Sequence, residues 1–251
     1  MPTALITGPT AGIGHAFARA YAARGYDLVL VSRDVDRLRR VADELKAAHG
    51  VGCQVLPADL GEIGDLARVE DRIADTHSAV DVLVNNAGSG LGRRFGESDI
   101  EEEERSLDVL VRAPMRLTHT AVRVMGSRGH GTVVNVSSVA GFAPRGSYGA
   151  HKAWLTSLSE WLHYAYRRRG VTVMALCPGF VRTEFHRRAD LDVSSVPAWL
   201  WLDADAVVAA ALRDLAAGKA VSVPTKRYAA LSVLARLAPG RVVASLPGSG
   251  R

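Results

Sequence analysis

Thr7-Gly8-Pro9-Thr10-Ala11-Gly12-Ile13-Gly14 follows directly on an apolar run at 3–7 and opens an amphipathic segment at 13–24. A β-branched run, a glycine-rich turn and a helix in immediate succession form a phosphate-holding unit. Gly8 permits the tight turn, Gly12 lets the backbone approach a pyrophosphate, and Gly14 lets helix and strand pack closely. Thr10 and Ile13 lie in the same loop, whose helix start offers free N–H groups and positive potential to an anion. A tight turn without a ligand would need the same glycines, so the rest of the chain has to decide.

Working outward, further continuous apolar runs lie at 27–32, 52–57, 80–84, 132–137, 171–177 and 220–223, with little in/out alternation. That pattern belongs to parallel strands buried on both faces. Amphipathic segments at 35–49, 62–77, 99–126, 148–169 and 204–217 alternate with them. The expectation is a single α/β domain, a Rossmann-like doubly wound parallel sheet of about seven strands with helices on both faces. Its ligands would sit beyond the carboxyl ends of the strands. The domain would span 1–225, with a C-terminal helix and tail at 226–251.

Composition narrows the function classes. The chain has 251 residues, is 48% hydrophobic and carries a net charge of +5. Its arginines are scattered, as at Arg37, Arg39, Arg40, Arg93, Arg94, Arg167 and Arg187, with no aromatic-interleaved basic stripe. That distribution reads as solvated helix faces, and no nucleic-acid partner is expected. Cys53 and Cys177 read as small buried hydrophobes in a reducing compartment. Met1-Pro2-Thr3 leads straight into a strand, without a secretory pattern. No apolar run is long enough to span a membrane. Cytoplasm is the expected location. No His/Cys/Asp spacing resembles a metal site.

Several strand ends carry polar residues. After the second run come Ser32 and Arg33, which suit a ribose 2′-phosphate, so NADP(H) is favoured over NAD(H). Asp34 follows at once, and a shifted loop would bring it to the ribose hydroxyls instead. Asp59 and Leu60 follow the third run, placed either for an adenine amino group or, in the case of Asp59, as the N-cap of the next helix. The fourth run exits as Asn85-Asn86-Ala87-Gly88, whose small residues and amides let the chain pass close to a ligand. His15 and His151 read as surface or packing residues.

Tyr148 and Lys152 stand at i and i+4, which on a helix puts them on one face about 6 Å apart along the axis. A free phenol has a pKa of about 10. A nearby ammonium favours the phenolate, so Lys152 is expected to bring Tyr148 toward the working pH as a general acid. Such pairs also occur on ordinary amphipathic helices.

Taken together, Thr7–Gly14, Asn85-Asn86-Ala87-Gly88, Asn135-Val136-Ser137-Ser138, Tyr148-Gly-Ala-His-Lys152 and Pro178-Gly179-Phe180-Val181-Arg182-Thr183 make roughly residues 3–225 resemble the short-chain dehydrogenases/reductases. The resemblance implies an NAD(P)(H)-dependent oxidoreductase moving hydride between nicotinamide and a carbonyl or secondary alcohol. Tyr148 would be the proton donor and Lys152 would also hold the nicotinamide ribose. Ser138 would hold the substrate oxygen, while Ser137 turns into the structure. Pro178 and Gly179 would bend the chain around the nicotinamide, with the Val181 backbone and Thr183 reaching its carboxamide. Residues 184–203 would form a substrate lid; their aromatics suggest a lipophilic ketone or acyl-type substrate, or else simply pack the lid onto the core.

A homodimer or homotetramer on the helices near 99–126 and 148–169 is implied as well. The C-terminal helix either covers the pocket, joins an interface or touches a membrane surface. One departure stands out. Aligning Asp108–Pro114 with the family's N-x-x-x-P pattern puts Leu110 where an asparagine completes a proton relay, and leucine has no hydrogen-bonding side chain. The alternative to a working reductase is therefore a weak or inactive cofactor-binding regulator on the same fold.

Overall fold

A computed structural model of the chain describes residues 1–90, 93–185, 193–194 and 196–237. Its sheet has the order β3-β2-β1-β4-β5-β6-β7, with every pairing parallel. The strands are β1 (Thr3–Thr7), β2 (Asp27–Ser32), β3 (Cys53–Pro57), β4 (Val82–Asn85), β5 (Gly131–Val136), β6 (Val171–Leu176) and β7 (Val221–Ser222). All seven expected strands are present, with ends displaced by one or two residues. The helices are α1 (Gly12–Ala22), α2 (Val35–His49), α3 (Ile63–Ala74), α4 (Ile100–Leu107), α5 (Ala113–Arg128), α6 (Gly146–Tyr166), α7 (Ala204–Ala216) and α8 (Lys226–Leu237).

Alternation along each strand divides the core into two layers. Ala4 and Ile6 of β1 face the layer filled by Phe17, Leu38 and Val207, from α1, α2 and α7. Leu5, between them, faces Leu66, Leu117 and Leu162, from α3, α5 and α6. Phe17, Leu66 and Leu117 are fully buried, and each side chain of that size contributes about 1.5–3 kcal/mol.

One expected element differs. The periodicity predicts a single helix over 99–126, but a π-helical turn at Asp108–Arg112 divides it into α4 and α5. Leu110, 2% exposed, is the one buried residue of that turn. The π turn takes in one extra residue and rotates the face beyond it, a local phase shift too short for a periodicity read over the whole segment to resolve.

The sheet order reverses between β1 and β4, the place where an open α/β sheet binds its ligand. The ends of those two strands are fastened together. Thr7 Oγ1 accepts from the backbone N–H of Asn86 and of Ala87, each at 2.9 Å. The Asn86 amide in turn donates to the carbonyls of Thr7 and Gly8, each at 3.0 Å.

Candidate active site

The glycine loop takes the form its residues demand. Gly8 and Gly12 have φ of 66° and 56°, a region that costs other residues strain. A Cβ on Gly14 would stand 2.1 Å from the Gly8 carbonyl oxygen, so only glycine lets α1 start this close to β1. A Cβ on Gly12 would meet Thr183 Cγ2 at 2.7 Å. The chain after β6 thus lies directly over the loop after β1, bringing Gly12 and Thr183 together. The α1 N-terminus has no side-chain cap and no acidic residue in its first turn, leaving its N–H groups and positive potential for an anion.

The rim beside β2 has the chemistry to hold a nucleotide. Ser32 Oγ is buried without a hydrogen-bond partner, an atom that a ribose hydroxyl or phosphate oxygen would satisfy. Asp34 is committed elsewhere: it caps α2 by accepting from Arg37 N–H at 3.0 Å and lies 3.4 Å from the Arg37 guanidinium. Arg33 is 70% exposed and 3.7 Å from Asp59. Asp59 is not the N-cap of α3, a place taken by Glu62. It accepts instead from Gly61 N–H at 2.9 Å and from Arg105 at 2.5 Å. Leu60 is buried beneath it. His15 lies 3.7 Å from Glu44 of α2.

Across the switch point, Ser138, Tyr148 and Lys152 come together. Ser138 lies two residues beyond β5 and caps the 3₁₀ turn Val139–Phe142, accepting from Ala140 N–H at 3.1 Å. Its hydroxyl neighbours the Tyr148 phenol and acts to lower that phenol's pKa. Lys152 is 5% exposed, its Nζ lying 5.7 Å from the centre of the Tyr148 ring and donating to the Val136 carbonyl at 2.8 Å. Ser137 turns inward as expected, bonding the Lys152 carbonyl and Thr156 Oγ1 at 2.7 Å each. His151 is buried near Ser106, a packing position.

The electrostatics correct one expectation. Burial pushes the Tyr148 phenol up to about 12, and the opposing influence is the neighbouring Ser138 hydroxyl rather than the Lys152 charge. Lys152 is itself brought down to about 8 by burial. A desolvated ammonium 5.7 Å from the ring centre does not outweigh the cost of burying a phenolate.

Residues 2–193 match the family model for short chain dehydrogenase. The chain belongs to the short-chain dehydrogenase family. It is an oxidoreductase of alcohol or ketone groups using NAD(P). Oxidoreductase UcpA of Salmonella typhimurium is 34% identical over 185 residues, 72% of this chain and 70% of that one. A short-chain dehydrogenase from Sphingobium yanoikuyae, solved in complex with NADPH, superposes with a TM-score of 0.86 at 35% identity, covering 98% and 96% of the two chains. The bulky-bulky ketone specific alcohol dehydrogenase from Comamonas testosteroni gives a TM-score of 0.82 at 31% identity, covering 100% and 97%.

Within this short-chain dehydrogenase, Leu110 is a packed apolar residue. Its Cδ2 lies 2.6 Å from where a Cβ on Gly88 would stand, so the leucine occupies the space above that glycine. Gly88 is therefore small for Leu110's sake as much as for a ligand's. The motifs gave no sign of a buried polar chain behind the site. Asn85 donates to Thr118 at 3.0 Å and to Asn135 at 2.8 Å, and Asn135 donates to Ser159 at 2.9 Å. These bonds run inside the sheet and hold β4 and β5 against α5 and α6, with Asn85 Oδ1 the member left without a partner.

Proposed function

We propose that the chain is an NADPH-dependent reductase of a lipophilic ketone or acyl-type carbonyl, with Tyr148 as proton donor. The observation that carries this reading is the meeting of Ser138, Tyr148 and buried Lys152, with Lys152 Nζ 5.7 Å from the centre of the Tyr148 ring. Bound NADPH would supply hydride to the carbonyl carbon. Tyr148 gives its proton to the carbonyl oxygen, and Ser138 holds that oxygen as charge develops on it. Lys152 orients the nicotinamide ribose and keeps a positive charge next to the phenol. In the reverse direction Tyr148 accepts the alcohol proton.

The remaining contacts are assigned by the same reading. Gly8, Thr10, Gly12, Ile13 and Gly14 cradle the pyrophosphate, and Asp59 and Leu60 border the adenine. Asn86, Ala87 and Gly88 form the floor, while Pro178, Gly179, Val181 and Thr183 face the nicotinamide. Preference for NADPH is supported by Ser32 and exposed Arg33, by the engagement of Asp34 as a helix cap, and by the NADPH complex of the Sphingobium relative.

A lipophilic substrate is supported by Phe185, 5.8 Å from the Tyr148 ring, by the Phe180–Trp201 pair at 5.7 Å, and by the bulky ketones of the Comamonas relative. Residues 1–225 would form the catalytic unit, with 184–203 as lid. Leu107, Met115, Trp154 and Trp161, exposed on α4, α5 and α6, favour a homodimer or homotetramer through those helices. Free Cys53 and Cys177 fit the cytoplasm, and no described helix is long and apolar enough to cross a membrane.

The test is NADPH oxidation over a panel of alkyl ketones of increasing chain length, with NADH in parallel. The reading expects turnover with NADPH to exceed that with NADH, and kcat/KM to rise with chain length. Indifference to either variable removes that part of it.

A further inference from the structure

Helix α8 begins beyond the segment matched by the family model, yet its side chains reach the site, Tyr228 foremost. Tyr228, 4% exposed, lays its ring on Gly179: a Cβ there would stand 1.9 Å from the ring carbon Cζ. The Tyr228 hydroxyl accepts from Phe180 N–H at 3.0 Å and donates to the Leu200 carbonyl at 2.8 Å. Those two segments are already laced by backbone. Leu202 N–H donates to the Phe180 carbonyl at 2.8 Å, Arg182 N–H donates to the Leu202 carbonyl at 2.9 Å, and Val181 and Leu202 form a parallel bridge. The phenol supplies the next rung of that ladder, where the chain leaves it for the 3₁₀ turn Ala198–Leu200. A second contact ties α8 to the opposite lip: the Arg236 guanidinium lies 4.1 Å over the ring of Phe142, in the turn that Ser138 caps.

We propose that Tyr228 is a positioning residue for the nicotinamide end of the cofactor site, fixing the Gly179–Val181 turn against the base of the lid. The inference rests on the assignment of that turn to the nicotinamide. A clasp on this turn acts on one end of the dinucleotide only. The adenosine end is built from β1, β2 and α1, and the Tyr228 hydroxyl bonds only Phe180 and Leu200 among the described residues.

Tyr228→Phe keeps the ring on Gly179 and removes both hydrogen bonds. Equilibrium titration compares NADPH with ADP-ribose 2′-phosphate, and NADH with ADP-ribose, each fragment lacking only the nicotinamide. The clasp predicts that the variant binds the dinucleotides about three- to tenfold more weakly and the fragments as well as wild type does. It also predicts faster amide exchange at Phe180 than in wild type, with β1 amides unchanged. Equal loss for dinucleotide and fragment, or no loss for either, would overturn it. A wild-type protein that binds NADPH and reduces no carbonyl would instead sink the reductase reading while leaving the clasp intact.

Discussion

Lys152 brings a positive charge into a site where burial opposes it, and its side chain has the Val136 carbonyl as its hydrogen-bond partner. Its pKa is brought down to about 8, so the ammonium persists at neutral pH and is lost as pH rises past that value. Tyr148, pushed up to about 12, stays protonated over the same interval. The limb of a pH–rate profile for carbonyl reduction is therefore set by the lysine. We expect kcat/KM to be level near neutrality and to fall about tenfold per pH unit once pH is above about 8, as loss of a single proton requires. A profile that rises through this interval would mean that a phenolate, rather than a phenol beside an ammonium, is the working form. The Tyr148–Lys152 spacing was readable from the chain. The sign of the tyrosine shift was not, because burial is a property of the packed neighbourhood, not of an i,i+4 pair.

The elements that carry the site differ in how openly their sequences announce them. β1, the glycine loop and α1 were legible because each glycine has one physical use there. Gly14→Ala puts a methyl carbon 2.1 Å from the Gly8 carbonyl, a backbone atom that cannot swing aside. The expected cost is about 1–3 kcal/mol of stability, measured by urea unfolding, together with loss of NADPH binding. A variant as stable as wild type and with full cofactor affinity would mean that α1 can move off β1 freely. The π turn at Asp108–Arg112 was illegible: no residue of Asp108-Val-Leu-Val-Arg112 breaks a helix, so the segment reads as continuous with its flanks. The role of Tyr228 was also hidden, since its partners are backbone groups of residues 180 and 200, 48 and 28 positions away. The tail reading from sequence left three choices open, and the described part of α8 lies on the lips of the site. Expectations that fall on 186–192, 195 or 238–251, including Arg187 and most of the lid's first half, lie outside the described residues.

For the molecule as a whole, the loops assigned to the cofactor follow the carboxyl ends of β1, β2, β3, β4 and β6, with Lys152 brought to them on α6, so one ligand would lie across both halves of the core. The doubly wound parallel sheet was implicit in the alternation of apolar runs and helices; the strand order was not, since right-handed crossovers are compatible with more than one order. A ligand bridging the switch point should stabilise the fold cooperatively. At a hundredfold excess over its Kd, NADPH is expected to add about 2.7 kcal/mol, raising Tm by roughly 5–10 °C for a domain of this size. An unchanged thermal transition at saturating NADPH would contradict a preformed cofactor site.

Proton delivery by Tyr148 is tested most directly by measuring NADPH oxidation by Tyr148→Phe with a ketone that wild type reduces. The variant loses one hydroxyl and keeps the ring that packs against Phe185. Its kcat should fall by about 10²- to 10⁴-fold while NADPH still binds with wild-type affinity. Reduction at the wild-type rate, with binding intact, would show that the proton comes from elsewhere.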